Sequence, residues 1–404
     1  MNHDYDVVVA GGGLNGLTLA RALTLGGLRV CLADPRTDTS VAPEGFSGRS
    51  YALARASERV LTALGIWAEL ANVSQPILDI RVSDGPLGGR PSPFVLDLSH
   101  TQIDEGPMGF MIEDRHLRPA LARALDNSIT KQAGVRREVP GSNGTRVEFS
   151  DGSVSTTRLL VAADGRNSAL ATNAGIGRWG RDYNQTALVC AVEHDRPHGG
   201  TAYQHFLPSG PLAILPLTGN RSSIVWTERT RQATWISGLD SEAYLDELRR
   251  RFGNHLGEIH LAGERTTFPL LLSVARAFTA RRLALIGDAA HAVHPIAGQG
   301  LNAGLRDVAA LAEVVVEAAR RGEDIGHANV LDRYQRWRRF DATALAFATD
   351  GFNSLFSNNN PVLRAGRTIG FEVVNRLPSL GRAIIREAAG LNGDLPRLAR
   401  GQAL

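Results

Sequence analysis

Cysteine is nearly absent from this chain of 404 residues: only Cys31 and Cys190 occur, both within apolar runs that read as strands. Such a pair builds no disulfide framework, and two buried free thiols are the plain reading. Lysine is rarer still, with Lys131 alone, so nearly all the positive charge is arginine. The arginines are spread along the chain, and the formal net charge is only +3 despite a pI of about 9.1. No basic block carries interleaved aromatics, so no nucleic-acid partner is expected. Long apolar runs are missing too: none reaches the roughly 18–20 residues of a membrane span. The chain passes from Met1 almost directly into a strand at Tyr5–Ala10, which leaves no room for a signal peptide and points to the cytoplasm. Internal repeats and low-complexity tracts are also lacking.

What is present is glycine, 43 residues of it, in a chain whose 43% hydrophobic content can bury a sizeable core. The length suggests two or three structural units. The opening reads strand Tyr5–Ala10, glycine turn, helix Leu14–Leu25 and strand Arg29–Ala33, one βαβ unit. After a loop from Pro35 to Gly48, a helical pattern runs from about Ala52 to Leu64. Ile77–Val82 and Phe94–Leu98 alternate as strands around the turn-rich Asp84–Pro93, Gly109–Ile112 is a strand, and Leu117–Leu125 has helical spacing. Arg146–Phe149 and Val154–Leu160 form a hairpin through Ser150-Asp151-Gly152. Short strands from Ala187 to Glu228 indicate an antiparallel sheet, followed by a helix at Ser241–Phe252. A last strand, Leu283–Ile286, leads into a second glycine loop and a helix to about Arg320; the tail from Val330 is helical. Parallel α/β pieces therefore enclose an antiparallel insertion.

Three motifs carry the chemistry. Gly11, Gly13 and Gly16 have the dinucleotide spacing and sit between a strand and a helix. Gly11 allows the tight turn, Gly13 the approach of the pyrophosphate, and Gly16 close helix–strand packing. The helix N-terminus offers amide N–H groups and partial positive charge. Ala20, Gly27 and Asp34 follow with six residues between each, and Asp34 closes the second strand, where its carboxylate would bond the adenosine ribose. The second motif, Leu159–Ala163 followed by Asp164 and Gly165, is by itself only a strand and turn. The third runs from Gly287-Asp288-Ala289-Ala290-His291 to Pro295-Ile296-Ala297-Gly298-Gln299-Gly300-Leu301-Asn302. It supplies an acidic residue suited to a polyol chain, then a glycine loop before a helix N-terminus that can stabilise the negative charge of a reduced flavin.

These motifs in this order resemble the single-component class A flavoprotein monooxygenases, whose best-known fold is that of para-hydroxybenzoate hydroxylase. The run His294–Asp307 is similar to that of the ubiquinone-biosynthesis hydroxylases, as are Leu355-Phe356-Ser357-Asn358 and Ala388-Ala389-Gly390-Leu391. The likeness spans essentially the whole chain and is thinnest across Gly199–Ala275. It implies an α/β fold: a Rossmann-like FAD-binding domain (1–72 with 101–175 and 276–330), an inserted antiparallel-sheet substrate domain (73–100 with 176–275), and a helical C-terminal region (331–404). It implies FAD held by Gly11, Gly13, Gly16 and Asp34 on the ADP side, with Arg49 and Arg115 as further contacts. Asp164 and Gly165 belong to a motif linked to both FAD and NAD(P)H, Asp288 would bond the ribitol, and Pro295 would lie beside the isoalloxazine. Gly298, Gln299, Gly300, Leu301 and Asn302 would cup its pyrimidine edge. Two positions depart from the family pattern: Asp114 precedes Arg115 where many relatives have Arg or Gln, and Ser168 is followed by Ala-Leu-Ala where an arginine is often found.

The activity implied is hydroxylation of a polyprenyl phenol by O2 in ubiquinone biosynthesis, through a flavin C4a-hydroperoxide, with NAD(P)H or another electron donor. No acid–base dyad stands out, and no catalytic side chain is assigned. Membership of a ubiquinone-biosynthesis complex and peripheral contact with the inner membrane face accompany that reading. The arginines of Pro361–Leu391 (Arg364, Arg367, Arg376, Arg382, Arg386) form either the solvated face of a docked helix or a surface resting on anionic lipid. Phe206, Pro216 and Trp226 either line the substrate cavity or are ordinary core of the inserted sheet. His291 and His294 lack companions at ligand spacing, so no metal site is expected. Flavin-dependent halogenases place a lysine between flavin and substrate, a role for which Lys131, between a helix and a hairpin, is badly sited. The remaining rivals are a prenyl reductase and a non-catalytic FAD-holding subunit.

Overall fold

The computed structural model describes residues 3–36, 48–84, 95–126, 129–357 and 376–404, together with 372 and 374. Phe94, Asn358, Arg364, Arg367 and most of the loops expected at 35–48 and 84–93 lie outside the described residues.

A mainly parallel sheet forms the first layer. Tyr5–Ala10 pairs in parallel with Val30–Ala33 on one side and Val154–Ala162 on the other, and the latter pairs in parallel with Leu283–Leu285. These strands read as near-continuous apolar runs because both faces are covered. One face packs on the first helix, Leu14–Leu25, whose Leu17, Leu19 and Leu23 join the same core as Val308, Leu311 and Val315 of the helix Gln299–Arg320. The hairpin Thr145–Phe149/Val154–Ala162 extends the sheet in antiparallel register.

The second sheet is antiparallel apart from one pair. Its order runs His291–Ala292, Thr266–Ala275, Arg178–His194, Arg221–Arg229, Gly210–Leu217, Thr201–Leu207, Asp79–Asp84 and Val95–Ser99. Thr201–Leu207 and Asp79–Asp84 form the parallel pair. The strand Arg178–His194 is longer than the sequence pattern indicated, because a register shift between Asp182 and Gln185, with Asn184 at φ 52°, lets it bend and continue. The helices Thr230–Ser237 and Ser241–Phe252 cover one face of this sheet, burying Leu188, Cys190, Ile214, Ile224 and Trp226.

A three-stranded sheet, Ser50–Ala54, Gly109–Glu113 and Gln75–Ile77, lies between the two layers. Here the structure corrects the expected helix from Ala52: Ser50–Ala54 is a strand, and the helix is confined to Arg55–Ala63. Helical spacing is present locally, but pairing of Ser50–Ala54 with Gly109–Glu113 satisfies the same backbone groups. The helix expected at Leu117 begins earlier, at Asp114, whose N–H donates to Arg49 O. The C-terminal region is helical over Ala328–Phe356 and Pro378–Ala388.

Candidate cofactor and substrate site

The parallel strands end together, and their ends make the first half of the site. Gly11 sits at φ 112°, and a Cβ there would fall 2.3 Å from Ala163 O. A Cβ on Gly16 would fall 1.9 Å from Gly11 O, so the helix can follow the strand this closely only without side chains at both positions. Gly13, by contrast, has open space where its Cβ would be, and it begins a helix that has no side-chain cap. The first-turn N–H groups therefore have no side-chain cap, the setting for a bound diphosphate.

Asp34 stands beside the same glycine loop, where its Oδ2 accepts from Gly12 N at 2.5 Å. Arg36 closes over the same carboxylate, Nε to Oδ1 at 2.9 Å and Nη2 to Oδ2 at 2.6 Å. Burial alone would raise the Asp34 carboxyl, but the hydrogen bonds from Arg36 and Gly12 outweigh it and hold it below the usual carboxylate range. A ribose at Asp34 has to share it with Arg36, which is more than half exposed and free to swing away.

The second glycine loop makes the other half. Gly298 adopts φ 64° and begins the helix Gln299–Arg320, again without a side-chain cap. A Cβ on Gly298 would lie 2.9 Å from that of Ala52, whereas Gly300 faces open space. Asn302 is fully engaged: its Oδ1 accepts from Ala54 N and Ser57 Oγ, and its Nδ2 donates to Ala52 O and Gly298 O. Its side chain thus pins the strand Ser50–Ala54 to the loop rather than cupping a ligand. Pro295, Gln299 and Leu301 are half-buried along the same loop.

The two halves meet at Asn15, whose side chain lies 2.3 Å from the Cβ positions of both Gly287 and Gly304 and whose Oδ1 is buried without a partner. Asp164 lies beside the first loop, its N 3.0 Å from a Cβ built on Gly11, and Gly165, at φ 86°, is open on its Cβ side. Arg178 joins the two aspartate motifs. Its guanidinium donates to Ser273 Oγ and O, Ala289 O and Asp288 O, and while burial pulls its pKa down, Asp288 and Asp164 push back. Asp288 itself is exposed.

Behind the loop lies a buried charge cluster. Asp307 Oδ2 accepts from Gly287 N at 3.0 Å and bonds His291 Nε2 at 2.6 Å, and its Oδ1 accepts from Arg338 Nε at 2.9 Å. Burial would raise the Asp307 carboxyl, but His291 and Arg338 outweigh it and hold it low. His294 is also fully buried, set edge-on to Tyr183 at 5.1 Å, and burial pulls its pKa down to about 4, so its imidazole is neutral.

Arg49 and Arg115 are the other two expected cofactor contacts. Arg49 is exposed with its guanidinium over the Tyr51 ring, and Arg115 is paired with the buried Glu113 at 2.6 Å, a carboxylate shared with Arg221. Of the candidate cavity residues, Trp226 and Pro216 lie on the face away from the flavin loop, Trp226 edge-on to Tyr244 beneath the covering helices. Phe206 points the other way and stacks on Phe356 at 4.0 Å. Asn15, Arg178, Asp307 and Arg338 escaped the sequence reading. Asp307 sat inside the long motif, but nothing local marked Arg338 as its partner.

Two helix N-termini without side-chain caps, glycines open on their Cβ side and the Asp34 carboxylate suit an extended dinucleotide carrying a flavin. The profile of the FAD binding domain family matches residues 4–349. The chain is 43% identical to the ubiquinone hydroxylase UbiL of Rhodospirillum rubrum, over 98% of this chain and 92% of that protein. It is 32% identical to the 3-demethoxyubiquinol 3-hydroxylase of Escherichia coli, over 96% of this chain and all of that one. In structure it resembles p-nitrophenol 4-monooxygenase PnpA of Pseudomonas putida, with a TM-score of 0.78 at 20% identity over 97% and 99% of the two chains.

Proposed function

The chain belongs to the FAD binding domain family, in its ubiquinone-hydroxylase branch, and on that premise we propose how its own residues carry out the hydroxylation. It is an FAD-dependent aromatic-ring monooxygenase of ubiquinone biosynthesis. The overall reaction inserts one atom of O2 into an aromatic C–H bond and reduces the other to water, consuming two electrons and two protons. When bound, FAD supplies the electron transfer to O2 and the electrophilic oxygen. The protein contributes positioning, charge and exclusion of water.

The observation that carries the residue roles is the pair of helix N-termini without side-chain caps, at Gly13 and Gly298, with Asn15 of the first helix set against Gly287 and Gly304. In this reading Gly11, Gly13 and Gly16 admit the diphosphate, Asp34 holds the ribose, and Asp164, Gly165 and Asp288 line the middle of the cofactor. The first turn of Gln299–Arg320 faces the flavin's pyrimidine edge through the backbone of Gly298, Gln299, Gly300, Leu301 and Asn302, where its positive end favours the reduced, anionic form. Pro295 and the neutral His294 border the ring. Arg49, exposed over the Tyr51 ring, and Arg115, beside Glu113, are further contacts for the cofactor in this reading. NAD(P)H or another donor supplies the electrons. The inserted antiparallel sheet, 73–100 with 176–275, forms the substrate side, and 331–404 the flanking helices.

We further propose peripheral membrane contact, because a polyprenyl phenol resides in the bilayer. Among the described residues no helix is long and apolar enough to cross a membrane. The helix Ala328–Phe356, however, exposes Phe340, Phe347, Phe352 and Leu355 beside the exposed Arg336 and Arg339. Such a pairing of apolar and basic side chains suits an anionic lipid surface. Docking into a biosynthetic complex would use the same region.

The test is a turnover assay with a short-chain 2-prenylphenol, a reductant and 18O2. One 18O atom in a new ring hydroxyl is the expected outcome. A saturated prenyl chain with no oxygen uptake would show a reductase, and reductant consumption with no organic product would leave a non-catalytic FAD-holding subunit.

A further inference from the structure

The antiparallel sheet has one covered face and one face turned toward the flavin loop. On the second face Ala202, Phe206 and Leu217 pack with Met111 and Ala52, and Ala52 touches the Gly298 position. Side chains paired across neighbouring strands share a face, so the register identifies whole rows on that surface. One row comprises Val82, Gln204, Ala213, Val225 and Val189. All five are half-buried, whereas Phe206, Pro211, Thr227 and Ala187 in the row on one side are buried; in the row on the other side Ala202, Ser223 and Ala191 are buried, and Ile80 and Leu215 are half-buried. Their alternate neighbours Leu188, Cys190, Ile214, Ile224 and Trp226 are closed off by helices. The exposure of this row is therefore on the flavin-loop side, and it forms a shallow trough across the sheet.

Four of the five side chains in the trough are apolar. The fifth, Gln204, has its Nε2 buried with no hydrogen-bond partner. A buried amide N–H without a partner is uncommon and is stabilised by any acceptor that reaches it. Two other polar side chains on this face already have partners. Arg221, on the same face two residue pairs along its strand from Ser223, is held by Glu113 at 2.7 Å, and the Gln185 amide is tied to Ser209 O and Asn353. Arg229 is exposed at the opposite end of the strand.

We propose that the aromatic ring of the substrate lies in this trough and that the Gln204 carboxamide donates a hydrogen bond to the ring's oxygen substituent. That contact decides which carbon faces the oxidant. The apolar row holds the ring face without directing it, because apolar contact is insensitive to rotation of the ring in its plane. A single amide donor removes that freedom. The inference rests on the hydroxylase reading for its substrate, but its test reads binding separately from turnover.

The experiment compares wild type with Gln204→Leu, each loaded with FAD, using 2-prenylphenol and prenylbenzene as probes. Binding is followed by perturbation of the flavin absorbance, and product yield is measured per reductant oxidised. Wild type should prefer the phenol. In Gln204→Leu that preference should shrink about 3- to 10-fold, the size of one neutral hydrogen bond, while prenylbenzene binds as before. More of the reductant should then appear as hydrogen peroxide, and the ring position hydroxylated should become mixed. Gln204→Asn, which keeps a shortened amide, should recover part of the preference. FAD content equal to wild type excludes a collapsed fold. An unchanged preference for the phenol in Gln204→Leu would overturn the proposal. If wild type hydroxylates neither probe, the enzyme reading fails on its own, and the two binding ratios still decide the role of Gln204.

Discussion

Asp307→Asn removes a fully buried charge on which three donors converge, and its consequences can be worked out from the geometry. In the wild type Asp307 accepts from Gly287 N, bonds His291 Nε2 and accepts from Arg338 Nε. Arg338 is almost as deeply buried, with 3% of its side chain exposed, and its other carboxylate partner, Asp341, is 37% exposed. Breaking a buried pair from one side typically costs about 3–5 kcal/mol, because the remaining charge is left desolvated. Asparagine retains some hydrogen bonding and Asp341 still screens Arg338, so a loss of about 3 kcal/mol is expected. For a chain of this length that is a fall in Tm of roughly 3–4 °C.

The same substitution loosens Gly287 and His291, which flank Asp288, so FAD affinity should fall as well. Thermal unfolding with and without excess FAD, with FAD binding followed by flavin fluorescence, measures both effects. The pH dependence has a definite sign. The folded Asp307 carboxyl is held below its unfolded value of about 3.9. The stability gap between wild type and variant should therefore be constant from neutral pH to about 4, then close as the pH falls through the folded value. Asp307→Asn combined with Arg338→Met should cost less than the sum of the two single changes. Additive losses, or a single variant as stable as wild type, would refute the coupled cluster.

Gly16→Ala places a methyl 1.9 Å from Gly11 O, and should cost about 1–3 kcal/mol and leave a purified protein depleted of FAD; full flavin occupancy by absorbance would contradict this. Trp226→Ala should lose about 3–5 kcal/mol in chemical denaturation because the ring is fully buried under the covering helices. The position on the far face predicts no change in affinity for the phenol once FAD is bound. Phe340→Ser with Phe347→Ser removes two exposed rings, at 78% and 63% exposure, and should weaken flotation with anionic vesicles while leaving Tm within about 1 °C. Unaltered flotation would remove the membrane role of that helix.

Local pattern alone determined a good deal here. The opening strand and the helix Leu14–Leu25 were legible because apolar periodicity and glycine spacing act over a few residues. The long motif at Gly287–Asn302 announced a second helix N-terminus for the same reason, and with Asp34 it marked an extended flavin site. Decisions that depend on distant partners were not legible. Ser50–Ala54 carries helical spacing, yet becomes a strand because Gly109–Glu113 and Asn302 offer its backbone better partners. Trp226 and Gln204 both sit in plausible strands, and only the placement of the covering helices sends one into the core and the other toward the flavin loop. Local cues were absent for Arg178 and Arg338 as well: each lies far along the chain from the carbonyls or carboxylate it serves. The cofactor was thus written in the sequence, because a glycine loop must be locally encoded to turn. Which face of the inserted sheet stays open was settled by tertiary packing, since it depends on what covers the other.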